Sequence, residues 1–194
     1  MLKPSKNFAT IAVLMAIAAP FAATTPVVAE MMAKTKMVGG AAMYPSKTII
    51  ENAVNSKDHT TLVAAVKAAG LVDTLSGPGP FTVFAPTNAA FKALPAGTVD
   101  TLLKPENKGK LTGVLTYHVV PGSLTFTDLD KLIAKGNGTA TLKTVAGGSL
   151  WLAKNGAHNI TIKDESGGIA DITIYDVQQS NGVIHSVDKV LLPK

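Results

Sequence analysis

The sequence predicts an α+β domain, because helical periodicity dominates up to about residue 115 and a period of two takes over from Thr139. No segment recurs at a fixed spacing, so the pattern describes a single module. The helices come first. Thr48 and Glu51 stand at capping-box spacing, and Ile50, Ala53 and Val54 share a face. A second helix is predicted from near Thr60 to Ala69, with Leu62, Val63 and Val66 inward and Gly70 as its stop. Residues 76–80 (SGPGP) form a turn into a strand over 81–85, where Thr82-Val83-Phe84 is a β-branched and aromatic run. Pro86 stops that strand, and Thr87 or Asn88 caps the short helix that Ala89-Ala90-Phe91 begins. Leu94-Pro95-Ala96-Gly97 breaks the chain, and a helical turn follows at 98–103. Residues 108–115 read as helix before a strand over 117–120, which Pro121-Gly122 closes. The remaining strands are predicted at 139–145, 150–153, 160–163, 171–177 and 183–192, separated by turns containing Gly and Asn.

The start of the chain carries an export pattern. Lys3 and Lys6 precede the almost uncharged run 8–23 (FATIAVLMAIAAPFAA), with small residues beyond it, as in a secretory signal peptide. Cleavage fits after Ala23 or after Ala29, and the return of charge at Glu30 favours the second. The run is short for a spanning helix and Pro20 interrupts it. The predicted organisation is a signal peptide at 1–29, a flexible Met-rich leader at 30–43 and the domain at 44–194. Met31, Met32, Met37 and Met43 fall in that leader, and thioethers suit Cu(I); their spacing is irregular and no His or Cys joins them, so no metal site is read there. The chain lacks Cys, so an exported domain of this size depends on its core rather than on disulfides.

Composition narrows the partners. The formal charge is +5, every basic residue is Lys, and Arg is missing altogether. Bidentate recognition of phosphate or guanine leans on Arg, and no Lys cluster alternates with aromatics, so nucleic acid is not an expected partner. Catalysis needs a nucleophile or base with an orienting partner, or a metal. The four histidines (His59, His118, His158 and His185) show no ligand spacing on one helix, and no G-x-S-x-G or Gly-rich phosphate loop occurs. The sequence therefore reads as non-enzymatic, with neither cofactor nor metal.

Three ordered blocks carry a family resemblance: 82–91 (TVFAPTNAAF), 117–122 (YHVVPG) and 181–193 (NGVIHSVDKVLLP). Together they resemble the two signature motifs and the Tyr-His motif of the fasciclin (FAS1) domain, over roughly 44–194. The resemblance implies a wedge-shaped β-sandwich of about seven strands with helices alongside. It also implies a non-catalytic adhesion or binding module, secreted or periplasmic, whose partner is a cell-surface or matrix protein or a polysaccharide. Thr82, Phe84, Pro86, Thr87, Asn88, Phe91, Asn181, Gly182, Val183, Ile184, His185 and Val187 are its structural residues, with Phe84, Phe91, Val183, Ile184 and Val187 packed and Asn88 and Asn181 shaping the backbone. Family members that bind integrin imply contact positions at Tyr117-His118 and at Asp176-Val177, five residues before Asn181. Tyr117 and His118, flanked by Leu115 and Val119-Val120, better suit a structural pair, one ring in the core while the other closes a hydrogen bond. Asp176 reads as a strand-end surface carboxylate. A second functional reading is a small-ligand or carbohydrate-binding protein, with Trp151, the only Trp, as a stacking surface or as half-buried core.

Overall fold

The computed structural model describes residues 35–194. The export segment and Met31 and Met32 lie outside the described residues. The later part of the expected leader differs from its reading: β1 (Lys36–Val38) and β2 (Ala41–Met43) pair as an antiparallel hairpin. Gly39 and Gly40 turn it with φ of 57° and 76°, the left-handed pair that a two-residue hairpin needs. Val38 and Met43 point into the core, so the hairpin is held by burial.

Helices follow. α1 (Ile49–Ala53) starts with the predicted capping box of Thr48 and Glu51. α2 (Thr60–Ala69) stops at Gly70, where φ is 73°. α3 (Val72–Ser76) and α7 (Phe126–Lys135) were not expected from the sequence. α7 nevertheless carries its own signals, a capping box of Thr125 and Asp128 and the buried pair Leu129 and Ile133 four residues apart. Between them come α4 (Asn88–Lys92), capped by Thr87, then α5 (Thr98–Leu102) and α6 (Lys108–Tyr117). α6 runs two residues further than expected. Tyr117 and His118 therefore close a helix, and strand β4 (Val119–Pro121) begins after them.

The strands β3 (Phe81–Pro86), β4, β5 (Thr139–Lys143), β6 (Ser149–Lys154), β7 (Ile160–Lys163), β8 (Ile169–Gln179) and β9 (Gly182–Val187) form one sheet in the order β4-β3-β9-β8-β7-β6-β5. Only β3 and β9 pair in parallel, joining the two signature blocks residue by residue from Phe81–Gly182 to Pro86–Val187. The two layers of the wedge are joined by β8. Its first residues pair with β7, while Ile172 to Gln179 pair with β9 through two register shifts. The far edges approach as well, since Val145 N donates to Val119 O at 2.8 Å. Seven strands with helices alongside match the expected fold class.

This curl creates two cores. Inside it lie Phe84, Leu150, Leu152, Ile160, Ile162 and Val187, with α7 closing one end. On the other face of β3 and β9, Val83, Ala85 and Ile184 pack against α1, α2, α6 and the hairpin. Alternate residues of one strand thus serve different cores. Two main chains also meet without room for a side chain: a Cβ on Gly182 would stand 2.0 Å from Phe81 O, and one on Gly79 2.0 Å from Asn181 O.

Phe84 is fully buried in the inner core and Ile184 is 7% exposed in the outer one. Truncating either to Ala removes a large packed side chain, with an expected cost of about 2–5 kcal/mol in each case. Urea unfolding of each variant checks this, and wild-type midpoints would reverse the assignment of the core.

Candidate functional site

The residues nominated as contacts prove to be fasteners. Tyr117 is fully buried, and its hydroxyl donates to Ser149 O at 2.7 Å and accepts from Glu165 N at 3.0 Å. It thereby ties the end of α6 to β6 and to the turn after β7. His118 is 2% exposed. Leu191 N donates to its Nε2 at 2.9 Å, which leaves Nδ1 to donate to Val114 O at 2.8 Å. Both nitrogens are occupied in the neutral ring, and burial pushes its pKa down to about 4. Val177 is buried in the outer core. In the folded domain none of these three presents a side chain to a partner, which corrects their nomination as contacts.

Asp176 is half-buried and sits in the bulged stretch of β8 with φ at 53°, left-handed for a residue that is not glycine. Its Oδ1 accepts from Phe126 N, the first amide of α7, at 2.7 Å, and its own N–H donates to His185 Nδ1 at 3.3 Å. The carboxylate is therefore an anion at a helix N-terminus and not a free surface group. His185 completes the link by donating from Nε2 to Leu124 O at 2.8 Å, and it stacks on Phe84 with centroids 5.8 Å apart. Burial lowers its pKa too. The third buried histidine, His59, lies between the hydroxyls of Ser56 at 2.9 Å and Ser186 at 3.3 Å, again with a lowered pKa from desolvation.

The signature residues follow the same logic. Asn88 Oδ1 accepts from Thr61 N at 2.9 Å and its Nδ2 donates to Lys57 O at 2.8 Å, so it caps α2 from a different segment. Asn181 Oδ1 accepts from Ile49 N at 3.0 Å, while its Nδ2 donates to Leu75 O and Gly77 O, each at 2.9 Å. Thr82 Oγ1 donates to Gly122 O and accepts from Leu124 N. Pro86, Phe91 and Val183 are buried with them. Asn88 and Asn181 shape the backbone through segments remote in sequence, by holding the ends of other helices.

Among the described residues no group of three or more His, Asp or Glu comes together to hold a metal ion. Met37 is exposed and Met43 buried, so the hairpin separates them. The cavity beneath it, lined by Val38, Met43, Leu62 and Val66 among others, holds about 50 Å³. That is well under the roughly 150 Å³ that admits benzene. A larger opening lies outside the inner core, where Trp151 stands with Thr139, Lys163, Glu165 and Ser166 around a groove of about 540 Å³. The sequence reading singled out only Trp151. The polar run Lys163-Asp164-Glu165-Ser166-Gly167 directly after a strand was the signal for the rest.

The match to a family model, the Fasciclin domain, covers residues 57–193. The chain belongs to the Fasciclin family. It is 45% identical over 179 residues to Protein sll1483 of Synechocystis sp., covering 89% of this chain and 91% of that one. It is 35% identical over 161 residues to the cell surface glycolipoprotein MPB83 of Mycobacterium bovis, covering 80% of this chain and 64% of the relative. Among solved structures it is similar to a FAS1 domain pair from the insect cell adhesion molecule fasciclin I, with a TM-score of 0.67 and 21% identity, over 77% of this chain and 52% of that one. As a Fasciclin domain it keeps Thr82, Asn181 and His185 of its motifs inside, with Thr87 and Asn88 half-buried.

Two outcomes test these roles. Asp176→Ala removes a helix cap and leaves Ala with a left-handed φ, so it should cost about 1–2 kcal/mol, whereas Asp176→Asn retains an acceptor and tolerates that φ, and should cost less. Urea midpoints of both variants compare them. The buried histidines set the acid response. Unfolded, each binds a proton near pH 6.5; folded, each binds it only at lower pH. Stability is therefore full above about pH 6.5 and falls as pH drops towards 4, with His118 alone contributing on the order of 3 kcal/mol. His118→Gln should flatten that slope while lowering stability at pH 7, as thermal melts across pH 4–7 would show.

Proposed function

We propose that this Fasciclin domain is exported and works without catalysis, as an adhesion or binding module at the cell envelope or in the surrounding matrix. The observation that carries the reading is the use made of its reactive side chains. His59, His118 and His185 are buried, with hydrogen bonds at both nitrogens, and Asp176 caps a helix. Three of the four histidines are thus spent on holding the fold, and His158 is exposed on a turn, so the domain meets its surroundings through its outer faces. A cell-surface relative and a neighbour from a cell adhesion molecule support the same setting. Lys3, Lys6 and the apolar run at 8–23 support export. No helix among the described residues is long and apolar enough to cross a membrane.

The test is fractionation of bacteria producing the full chain, followed by intact-mass analysis and by attachment of the recovered protein to envelope preparations. The expected product lies outside the cytoplasm with an N-terminus at Glu30, or at Thr24 if the earlier site is cut, and it attaches in a saturable manner. Full-length protein confined to the cytoplasm would contradict export. Recovered protein that attaches to nothing would contradict the module reading.

A further inference from the structure

We propose that the groove around Trp151 is a binding site for a neutral saccharide. The argument starts from the strand that carries the ring. On β6, Leu150 and Leu152 point into the inner core, so Trp151 between them faces outward. Trp151 belongs to neither core cluster and remains half-buried at the sheet surface. Its indole N–H forms no hydrogen bond within the described residues and is not among the buried unpartnered atoms, so it reaches solvent. A large aromatic ring held on a rigid strand, with no core to fill on its own side, is a platform.

The neighbours of that platform supply both halves of a hydrogen-bonding set. Lys163 lies directly opposite Trp151 in the β6–β7 register, and its ammonium makes no ion pair among the described residues. Thr139 on β5 adds an exposed hydroxyl. The wall is the turn after β7, which Asp164 fixes from below. Asp164 is 3% exposed and accepts from Ser166 Oγ, Gly168 N and Leu192 N. Above it, Glu165 Oε1 accepts from Ser149 N while Oε2 has no hydrogen-bond partner among the described residues. The groove thus offers donors from the indole and the ammonium, and acceptors from a carboxylate and two hydroxyls. Its volume of about 540 Å³ sits within the roughly 300–1,000 Å³ of small-ligand sites.

This set selects its occupant. A pyranose ring has an apolar C–H face that stacks on an aromatic plane, and a rim of hydroxyls that both donate and accept. Lys163 stands against two carboxylates, the partly free Glu165 and Asp164, whose oxygens are taken up by the turn, so the lining carries a small negative excess, which favours a neutral sugar over a uronate, a sulfated glycan or a nucleotide. This ligand class deepens the binding-module reading and rests on it for its setting.

The test uses the full-length gene product as recovered from the producing cells. Titration with neutral hexasaccharides (cellohexaose, xylohexaose, mannohexaose and chitohexaose) is followed by Trp emission and by calorimetry, with tri-galacturonate as the charged control. At least one neutral glycan should bind saturably, with a change in the emission of the single Trp. By calorimetry, Trp151→Ala should weaken that binding at least about tenfold, whereas Trp151→Phe should retain most of it because a ring remains. Lys163→Ala and Glu165→Gln should each weaken it several-fold, with unchanged melting temperatures. No saturation by any of the four, preference for tri-galacturonate, or unchanged affinity in folded Trp151→Ala would each overturn the assignment. Envelope attachment measured beside it separates the two readings: attachment that is indifferent to Trp151→Ala overturns this site alone, and wild-type protein that fails to attach overturns the module reading.

Discussion

The side chain of Asn181 holds the first amide of α1 and the last carbonyls of α3, and its own carbonyl accepts from Phe81 N at 3.1 Å. Helices of five residues are too short to persist alone, and α1 and α3 are both of that length. One amide thus fastens two marginal helices to the two central strands. Asn88 does the same for α2, and Asp176 for α7. In each case the acceptor comes from strand β8 or from a residue bordering β3 or β9. The helical layer is positioned by polar anchors before its apolar faces are counted. Removing Asn181 leaves a buried amide, Ile49 N, unpaired, which costs more than the hydrogen bond alone.

How much of this was legible in the sequence depended on whether a signal was local. Thr48 and Glu51, Gly70, the β3 run and the closing Asn-Gly turn are short-range patterns, and each sits where it was read. α7 was missed although Thr125, Asp128, Leu129 and Ile133 announce it, because the polar face between them hides the apolar pair. The leader was misread because Gly39-Gly40 looks like a flexible spacer, whereas what fixes it is burial of Val38 and Met43 against elements far along the chain. For Tyr117 and His118 the core reading agrees with their burial, but their partners lay out of reach for the same reason. Whether a Tyr or a His faces outward is settled by partners such as Ser149 and Leu191, which no local pattern reveals.

The polar interior also bears on uniqueness. A buried imidazole that must donate at one nitrogen and accept at the other tolerates only one arrangement of its neighbours. His118 imposes this on Val114 and Leu191, and His185 on Leu124 and Asp176. Apolar packing alone is more forgiving of small shifts. Together these rings set the register of the chain's final segment against α6, and of β9 against the bulge in β8.

The parallel pairing of β3 with β9 has a consequence for how the molecule comes into being. Phe81 must wait for Gly182, and His118 for Leu191, so the inner core has no complete wall until the final strand is available. A chain emerging N-terminus first from a ribosome or a translocation pore exposes its helices and β3 long before their partners exist. Pairings of such long sequence separation are slow to form. The topology itself therefore delays closure until the last strand has been made and is free to pair.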